Sequence, residues 1–287
     1  IIMKKIGLVV KMTNPDAVKL AADVAEWLMA KGADVYGDDM LADEVAVITP
    51  AGREDLADTV DAMVVLGGDG TMLYAARLIR GKKVPILGAN MGGLGFLTAI
   101  KVEELYANLE RVVNDNFETE ERMMLEVNVI RDGSSVATYN ILNDVAIKGK
   151  VARLVKLETS INNEYVTTFR VDGLIIATPT GSTAYALSAS GPILYPTIHS
   201  IIVVPICPFN LTNRPVVIPD WMEVEATIDP TSPETDLTLD GQIDFRLKGN
   251  DTIKVKRAAE SVYLVKCEGK GYFDILRERL AWEGRKE

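Results

Sequence analysis

Apolar and polar positions alternate along the first part of the chain in two periods. Lys4–Val10, apolar from Ile6 onward, reads as a first strand. From Asp16 to Lys31 the apolar side chains Val18, Ala21, Ala22, Ala25, Leu28 and Met29 recur at helical spacing, and Gly32 stops them. Ala33–Tyr36 predicts a second strand, Asp55–Asp58 a helical turn, and Met63–Leu66 a buried parallel strand. Past Gly67 and Gly68 the period is helical again. From Thr71, the residues Met72, Leu73, Ala76, Leu78 and Ile79 share one stripe that ends near Gly81, and Val84–Leu87 is the next strand. Val102–Val113 reads as a further helix. This β-α-β alternation predicts an open parallel sheet with helices packed on it over residues 1–115.

The texture changes after a polar, acidic stretch from Asn114 to Glu121, which reads as a linker. Short strands with turn signals follow over residues 116–267. They are Met123–Ile130, the hairpin turn Asp132-Gly133, Val136–Tyr139, Leu154–Ile161, the turn Asn162-Asn163, and Tyr165–Val171. Val216–Ile218, Met222–Ile228, Asp236–Leu239, Thr252–Arg257 and Ser261–Val265 continue the series. That spacing predicts an antiparallel all-β domain, sandwich-like or barrel-like. Tyr272–Trp282 reads as a C-terminal helix within residues 268–287, expected to pack back on the N-terminal domain.

Composition narrows the partners. A formal net charge of −10 over 287 residues argues against nucleic acid or an anionic membrane as the main partner. From Gly173 to Asn213 there is no Asp, Glu, Lys or Arg, but Pro179, Pro192, Pro196, Pro205 and Pro208 interrupt the stretch, so it reads as buried structure and not as a membrane span. Cys207 and Cys267 give neither a disulfide framework nor metal-ligand spacing. The first strand runs into a polar, Pro-containing loop and not a signal-peptide cleavage site, and a reduced cytoplasmic protein is expected.

The candidate chemistry starts at Gly67-Gly68-Asp69-Gly70, between a buried strand and a helix. Glycines there let another molecule approach the backbone, and a helix N-terminus offers unpaired N–H groups to an anion. Asp69 has two readings: a helix cap, or a carboxylate that accepts the proton of a hydroxyl attacking phosphorus. Asn90, Gly92 and Gly93 belong to a second glycine-rich loop after the next strand, which either binds phosphate or simply needs positive φ angles. Farther on, the strand Leu174–Ala177 breaks into a hydroxyl-rich turn from Thr178 to Ser190. Small hydroxyls can bond sugars and phosphates, Tyr185 could stack on a base, and the plainer alternative is a turn held by local bonds. The chain has no Gly-x₄-Gly-Lys-Ser/Thr loop and no Gly-x-Gly-x-x-Gly fingerprint, so a nucleotide would be held by these loops alone. The one histidine, His199, lies in an apolar region and reads as structural.

These pieces resemble the NAD kinase (ATP-NAD kinase) family. The matching segments are Gly67–Gly70, Asn90–Leu97, Asn143-Asp144, Asp172–Gly191, Asn213–Val216 and Asp240-Gly-Gln242, in the family's order. Thr178-Pro-Thr-Gly-Ser-Thr-Ala-Tyr185 is the most specific of them. The resemblance implies an N-terminal Rossmann-like domain, a C-terminal β domain, and magnesium-dependent transfer of ATP's terminal phosphoryl group to the 2′-hydroxyl of the adenosine ribose of NAD. It makes Asp69 the general base. It places Gly70, Asn143, Asp144, Arg153, Arg170, Asp172, Thr180, Thr183, Ala184, Tyr185, Ala186, Leu187, Ser188 and Gln242 against substrate, with Gly67, Gly68, Asn90, Gly92 and Gly93 as phosphate-loop candidates. Magnesium is expected on the substrate phosphates with no protein ligand, and a homodimer or homotetramer is implied. Asp144 stands where the family usually has Glu, and Phe209 where many bacterial members have His. Two other readings remain from the residues: a lipid or diacylglycerol kinase sharing the Gly-Gly-Asp-Gly turn, or a non-catalytic dinucleotide sensor.

Overall fold

The structure is a computed structural model that describes residues 3–79, 81–93, 95–98, 100–151, 153–267 and 269–282. Leu94 of the second glycine loop, and Glu268 and residues 283–287 of the C-terminal segment, lie outside the described residues. The chain divides into two compact units: unit one is residues 1–121 with 262–287, and unit two is residues 122–261.

Unit one is an α/β layer structure. Its elements are β1 (Lys5–Val10), α1 (Pro15–Ala30), β2 (Asp34–Gly37), α2 (Asp39–Glu44), β3 (Thr49–Pro50), α3 (Leu56–Thr59), β4 (Ala62–Gly67), α4 (Asp69–Ile79), β5 (Pro85–Asn90), β6 (Ile100–Lys101) and α5 (Leu105–Val113). The helix α1 starts where Asn14 accepts a hydrogen bond from the Asp16 N–H at 3.1 Å with Pro15 in the first turn, and Gly32 at φ +85° follows its end. These strands pair in parallel in the order β3-β2-β1-β4-β5. The order reverses between β1 and β4, and beyond the carboxyl ends of strands at such a switch point ligands bind. Ile6, Leu8, Val64, Leu66 and Leu87 from the strands meet Val24, Ala25 and Leu28 of α1 in one core. Helix α4 begins at Asp69, two residues before the periodicity indicated, so Asp69 sits in its first turn.

Among its described residues unit two is all-β apart from the short helical turns Thr180–Thr183 and Tyr185–Ser188. Its elements are β7 (Thr119–Arg131), β8 (Ser134–Ile141), β9 (Asp144–Gly149), β10 (Val155–Ile161), β11 (Glu164–Val171), β12 (Gly173–Ala177), α6 (Tyr185–Ser188), β13 (Ser200–Ile206), β14 (Val216–Pro219), β15 (Val224–Ile228), β16 (Thr235–Leu239), β17 (Ile243–Leu247) and β18 (Thr252–Val265). Helix α7 (Tyr272–Leu280) follows in unit one. One sheet runs β8-β7-β18-β15-β10-β11, and a fully antiparallel one β14-β13-β12-β9-β16-β17. Alternate residues of both, among them Leu125, Val127, Ile147, Leu157, Leu174, Ile176, Val203 and Val255, interdigitate in a single core. The turns Asp132-Gly133 and Asn162-Asn163 have positive φ at both positions, as two-residue hairpins require.

The structure differs from the sequence expectation in several further details. The linker ends earlier, because Thr119 already starts β7. Thr252–Arg257 and Ser261–Val265 form one strand, since Ala258-Ala259-Glu260 contains no breaker. The strand β13 was hidden because it is buried on both faces and shows no period. The short strand β17 does alternate, half-buried against exposed, but is only five residues long.

Candidate functional site

In unit one a cleft of about 290 Å³ lies at the switch point, lined by Lys11, Asn14, Gly67, Gly68, Asp69, Asn90, Met91, Gly92, Gly93, Gly95 and Arg279. Parallel pairing makes this so: β1 delivers Lys11, β4 delivers Gly67 and β5 delivers Asn90 at the same end of the sheet. The Asp69 carboxylate points across to the second loop. Its Oδ1 accepts from the N–H groups of Leu97 at 3.0 Å and Thr98 at 3.1 Å and from the Thr98 hydroxyl at 3.2 Å. Its Oδ2 accepts from the Phe96 N–H at 2.9 Å. The helix-cap alternative is therefore replaced by a brace between the two glycine loops. Oδ2, with one donor among the described residues, still has a lone pair for another hydrogen.

Glycine at 95 is a matter of space: a Cβ there would stand 2.0 Å from the Asp69 Oδ1 and 2.4 Å from the Thr98 Oγ1. Asn90 completes the loop, donating from Nδ2 to the Thr98 Oγ1 at 2.7 Å and accepting from the Gly92 N–H at 2.7 Å. The Arg279 guanidinium lies 5.4 Å over the Phe96 ring. Lys11 and Arg279 give this cleft two cations that sequence reading missed. The signal for Lys11 was its place just after a parallel strand; Arg279 had none, because it comes from the far end of the chain.

In unit two a cleft of about 280 Å³ is lined by Asn143, Asp144, Ala146, Lys148, Ala184, Tyr185, Thr238, Asp240 and Gly241. Of the residues named from sequence it gathers Asn143, Asp144, Ala184 and Tyr185. Thr180, Thr183, Ala186, Leu187, Ser188, Arg153, Arg170, Asp172 and Gln242 do not line it. Arg153, Arg170, Asp172, Ser188 and Gln242 are placed near the surface, and the Arg170 guanidinium lies 4.7 Å over the exposed Phe209 ring. The Lys148 ammonium sits 5.1 Å from the centre of the Tyr185 ring, a cation over an aromatic face at the cleft. Lys148 was missed as well, although it lies two residues from Ala146 on the same face of β9.

The hydroxyl-rich turn is partly self-satisfied. The Ser182 hydroxyl donates to the Pro179 carbonyl at 2.6 Å, and the Thr183 hydroxyl to the Thr180 carbonyl at 3.2 Å. The Thr178 hydroxyl donates to the Leu142 carbonyl at 2.6 Å and accepts from the Gly181 N–H at 3.0 Å, tying the turn to the start of β9. Behind it Ile175, Ala177, Ala186, Ile202 and Val204 form a second apolar cluster, so β12 and β13 are covered on both sides. This burial accounts for the long uncharged stretch.

Asp144 is 5% exposed at the cleft floor and accepts from the Tyr185 N–H at 3.4 Å. Burial, with the Asp240 charge beside it, pushes its carboxyl up to about 7. Among the described residues no three His, Cys, Asp or Glu side chains stand together as a metal site, and no helix is long and apolar enough to cross a membrane. His199 Nδ1 lies 3.0 Å from the Asp220 carboxylate, which also pairs with Arg257.

Comparison with known proteins bears on both clefts. Residues 6–117 match the model of the ATP-NAD kinase N-terminal domain, and residues 142–267 that of the ATP-NAD kinase C-terminal domain. The NAD kinase of Geotalea daltonii is 44% identical over 284 residues, covering 99% of this chain and 100% of that protein. The NAD kinase of Syntrophotalea carbinolica is 44% identical over 285 residues, again covering 99% and 100%. Two solved structures share the fold at 24% identity. The crystal structure of yeast NADH kinase complexed with NADH has a TM-score of 0.92 over 100% of this chain and 89% of that one. An NAD kinase from Archaeoglobus fulgidus in complex with ATP has a TM-score of 0.75 over 96% and 99%. With a carboxylate braced across two glycine-containing loops in the first matched domain, a polar cleft in the second, and a relative 44% identical over 99% of the chain, the chain belongs to the ATP-NAD kinase family.

Proposed function

We infer that the protein is an NAD kinase, which transfers the terminal phosphoryl group of ATP to the 2′-hydroxyl of the adenosine ribose of NAD, giving NADP and ADP. The observation that carries this is Asp69: family membership supplies the reaction, and the braced carboxylate in a glycine-lined cleft supplies its base. A diacylglycerol kinase would share only the Gly-Gly-Asp-Gly turn, and neither matched domain describes one. A bare dinucleotide sensor has little use for a negative charge among phosphate-binding backbone groups.

Unit one binds the polyphosphate: the backbone of Gly67, Gly68, Gly92 and Gly93 approaches it, and Lys11 and Arg279 offset its charge. Oδ2 of Asp69 accepts the ribose proton while Oδ1 stays on the loop. Unit two holds the dinucleotide through Asn143, Asp144 and Tyr185, with Lys148 beside its pyrophosphate. Gly70, Arg153, Arg170, Asp172, Gln242 and the Thr180–Ser188 turn complete the substrate contacts. Magnesium is proposed to travel with ATP on its phosphates, since both Asp69 oxygens already hold N–H groups. When bound there it neutralises phosphate charge.

Incubation with ATP, magnesium and NAD is the direct test: NADP must form. A site that bonds several hydroxyls and a pyrophosphate leaves polar groups unpaired with a fragment, so adenosine should be a poor acceptor. Equal kcat/KM for adenosine and NAD would overturn the assignment of the cleft.

The protein is also proposed to act in the cytoplasm as a homo-oligomer. The edge strand β14 carries exposed Val216 and Val217, with exposed Phe209, Leu211 and Trp221 in the flanking segments. Open edges of this kind invite pairing, and a second copy is the occupant that would cover them in a closed dimer. Light scattering should give a multiple of 31.3 kDa; a mass of 31.3 kDa at micromolar concentration would refute it.

A further inference from the structure

The turn between β16 and β17 brings a second carboxylate to the dinucleotide cleft. Asp240 is 6% exposed and has a left-handed backbone at φ +50°, an uncommon conformation for a residue other than glycine. Its Oδ1 accepts from the N–H groups of Asn143 at 2.7 Å and Asp144 at 3.3 Å, and its Oδ2 from the Leu142 N–H at 3.1 Å. Its own N–H donates to the Asp144 carbonyl at 2.9 Å. Three successive backbone donors converge on one carboxylate, so the segment ahead of β9 is fixed from a turn almost a hundred residues away in sequence.

We propose that Asp240 is a positioning residue for Asn143 and Asp144, fixing their backbone and setting the charge that this pair presents to the dinucleotide. The inference rests on the reading that the unit-two cleft takes NAD. The titratable groups that share the cleft with Asp144 are Asp240 from the turn, Lys148 from its own strand and Tyr185 from α6; the remaining lining groups do not titrate. Asp240 is tied to three backbone N–H groups, and Asp144, buried beside it, has its carboxyl pushed up to about 7. Below about 7 it is mostly a buried neutral acid, which can donate a hydrogen bond to a ribose hydroxyl and does not repel a pyrophosphate. Above about 7 it ionises and the cleft gains a negative charge.

The consequence is a pH-dependent affinity. Calorimetric binding of NAD alone is the right probe, because the terminal phosphate of ATP titrates in the same range. The wild-type dissociation constant should be flat below pH 6.5 and rise about tenfold by pH 8. Asp240→Asn removes the neighbouring charge, so the inflection should move to lower pH. One donor, the Leu142 N–H, would then face an amide NH₂, so affinity at the optimum should also fall by about tenfold. Asp144→Asn cannot ionise and should abolish the inflection. A purely structural Asp240 would weaken binding without moving the inflection, and that result overturns the proposal. A wild-type affinity independent of pH overturns it too, and does so even if Asp240→Asn fails to fold. No NAD binding at any pH would instead refute the assignment of the cleft.

Discussion

Replacing Asp69 with Asn is expected to lower kcat by about 10²–10⁴, the usual loss when a general base is removed, or about 2.7–5.4 kcal/mol of barrier. The structure makes this sharper than the turn sequence could. An Asn oxygen in place of Oδ1 keeps the bonds from Leu97 and Thr98. Its NH₂ then replaces Oδ2, where it faces the Phe96 N–H and cannot accept a ribose proton. The competing explanation is that Asp69 matters only as a brace. Thr98→Val separates the two: it cuts the hydroxyl bonds to Asp69 and Asn90 yet leaves the carboxylate in place. If the base reading holds, Thr98→Val stays within about tenfold of wild type while Asp69→Asn loses at least a hundredfold. NAD affinity should survive in both. Equal losses in the two variants would make Asp69 a brace and remove it from the chemistry.

Much of unit one was legible in the sequence because each local signal there had a single physical meaning. Met63–Leu66 followed by Gly67-Gly68 signals a strand about to end in a turn, so strand and turn were read together. The hairpin turns Asp132-Gly133 and Asn162-Asn163 were equally plain. Less visible was anything that depends on partners remote in sequence. Arg279 reaches the glycine cleft from the C-terminal helix, and no spacing connects it to Asp69. Lys148 lies on a strand that was not anticipated, because Val145–Ile147 is short, buried and without alternation. Asp240 stood inside a quoted motif, yet its use as a clamp for three backbone N–H groups depends on a sheet pairing that sequence does not specify. The hydroxyls of the Thr178–Ser190 turn show the reverse case. Their chemistry suited sugars, but the Ser182 and Thr183 hydroxyls donate to local carbonyls, as the plainer alternative of a locally bonded turn had it.

Gly181→Ala is the second change with a large expected effect, and space alone decides it. The backbone at Gly181 is not left-handed, so conformation does not demand glycine there. A Cβ would stand 2.1 Å from the Asn143 carbonyl oxygen, 2.5 Å from its carbon and 2.8 Å from its Cα. All three are backbone atoms, and none can swing aside. The Asn143 carbonyl accepts from the Thr178 N–H at 2.9 Å, and its N–H is held by Asp240 at 2.7 Å. The methyl group must push the Asn143-Asp144 segment off its register or break the turn. Overpacking of this kind costs about 1–3 kcal/mol of stability. Displacement of substrate-facing groups by about 1 Å can cost on the order of 10²-fold in rate. Gly241→Ala is the matched control: Gly241 lines the same cleft, has φ +63°, and nothing lies within 4 Å of its added Cβ. It should cost about 1–2 kcal/mol through backbone strain alone and leave the Asn143 segment in place. The denaturation midpoint and kcat/KM for NAD decide the matter. Gly181→Ala with kcat/KM within about threefold of wild type would mean that the turn and the Asn143-Asp144 pair do not meet the substrate.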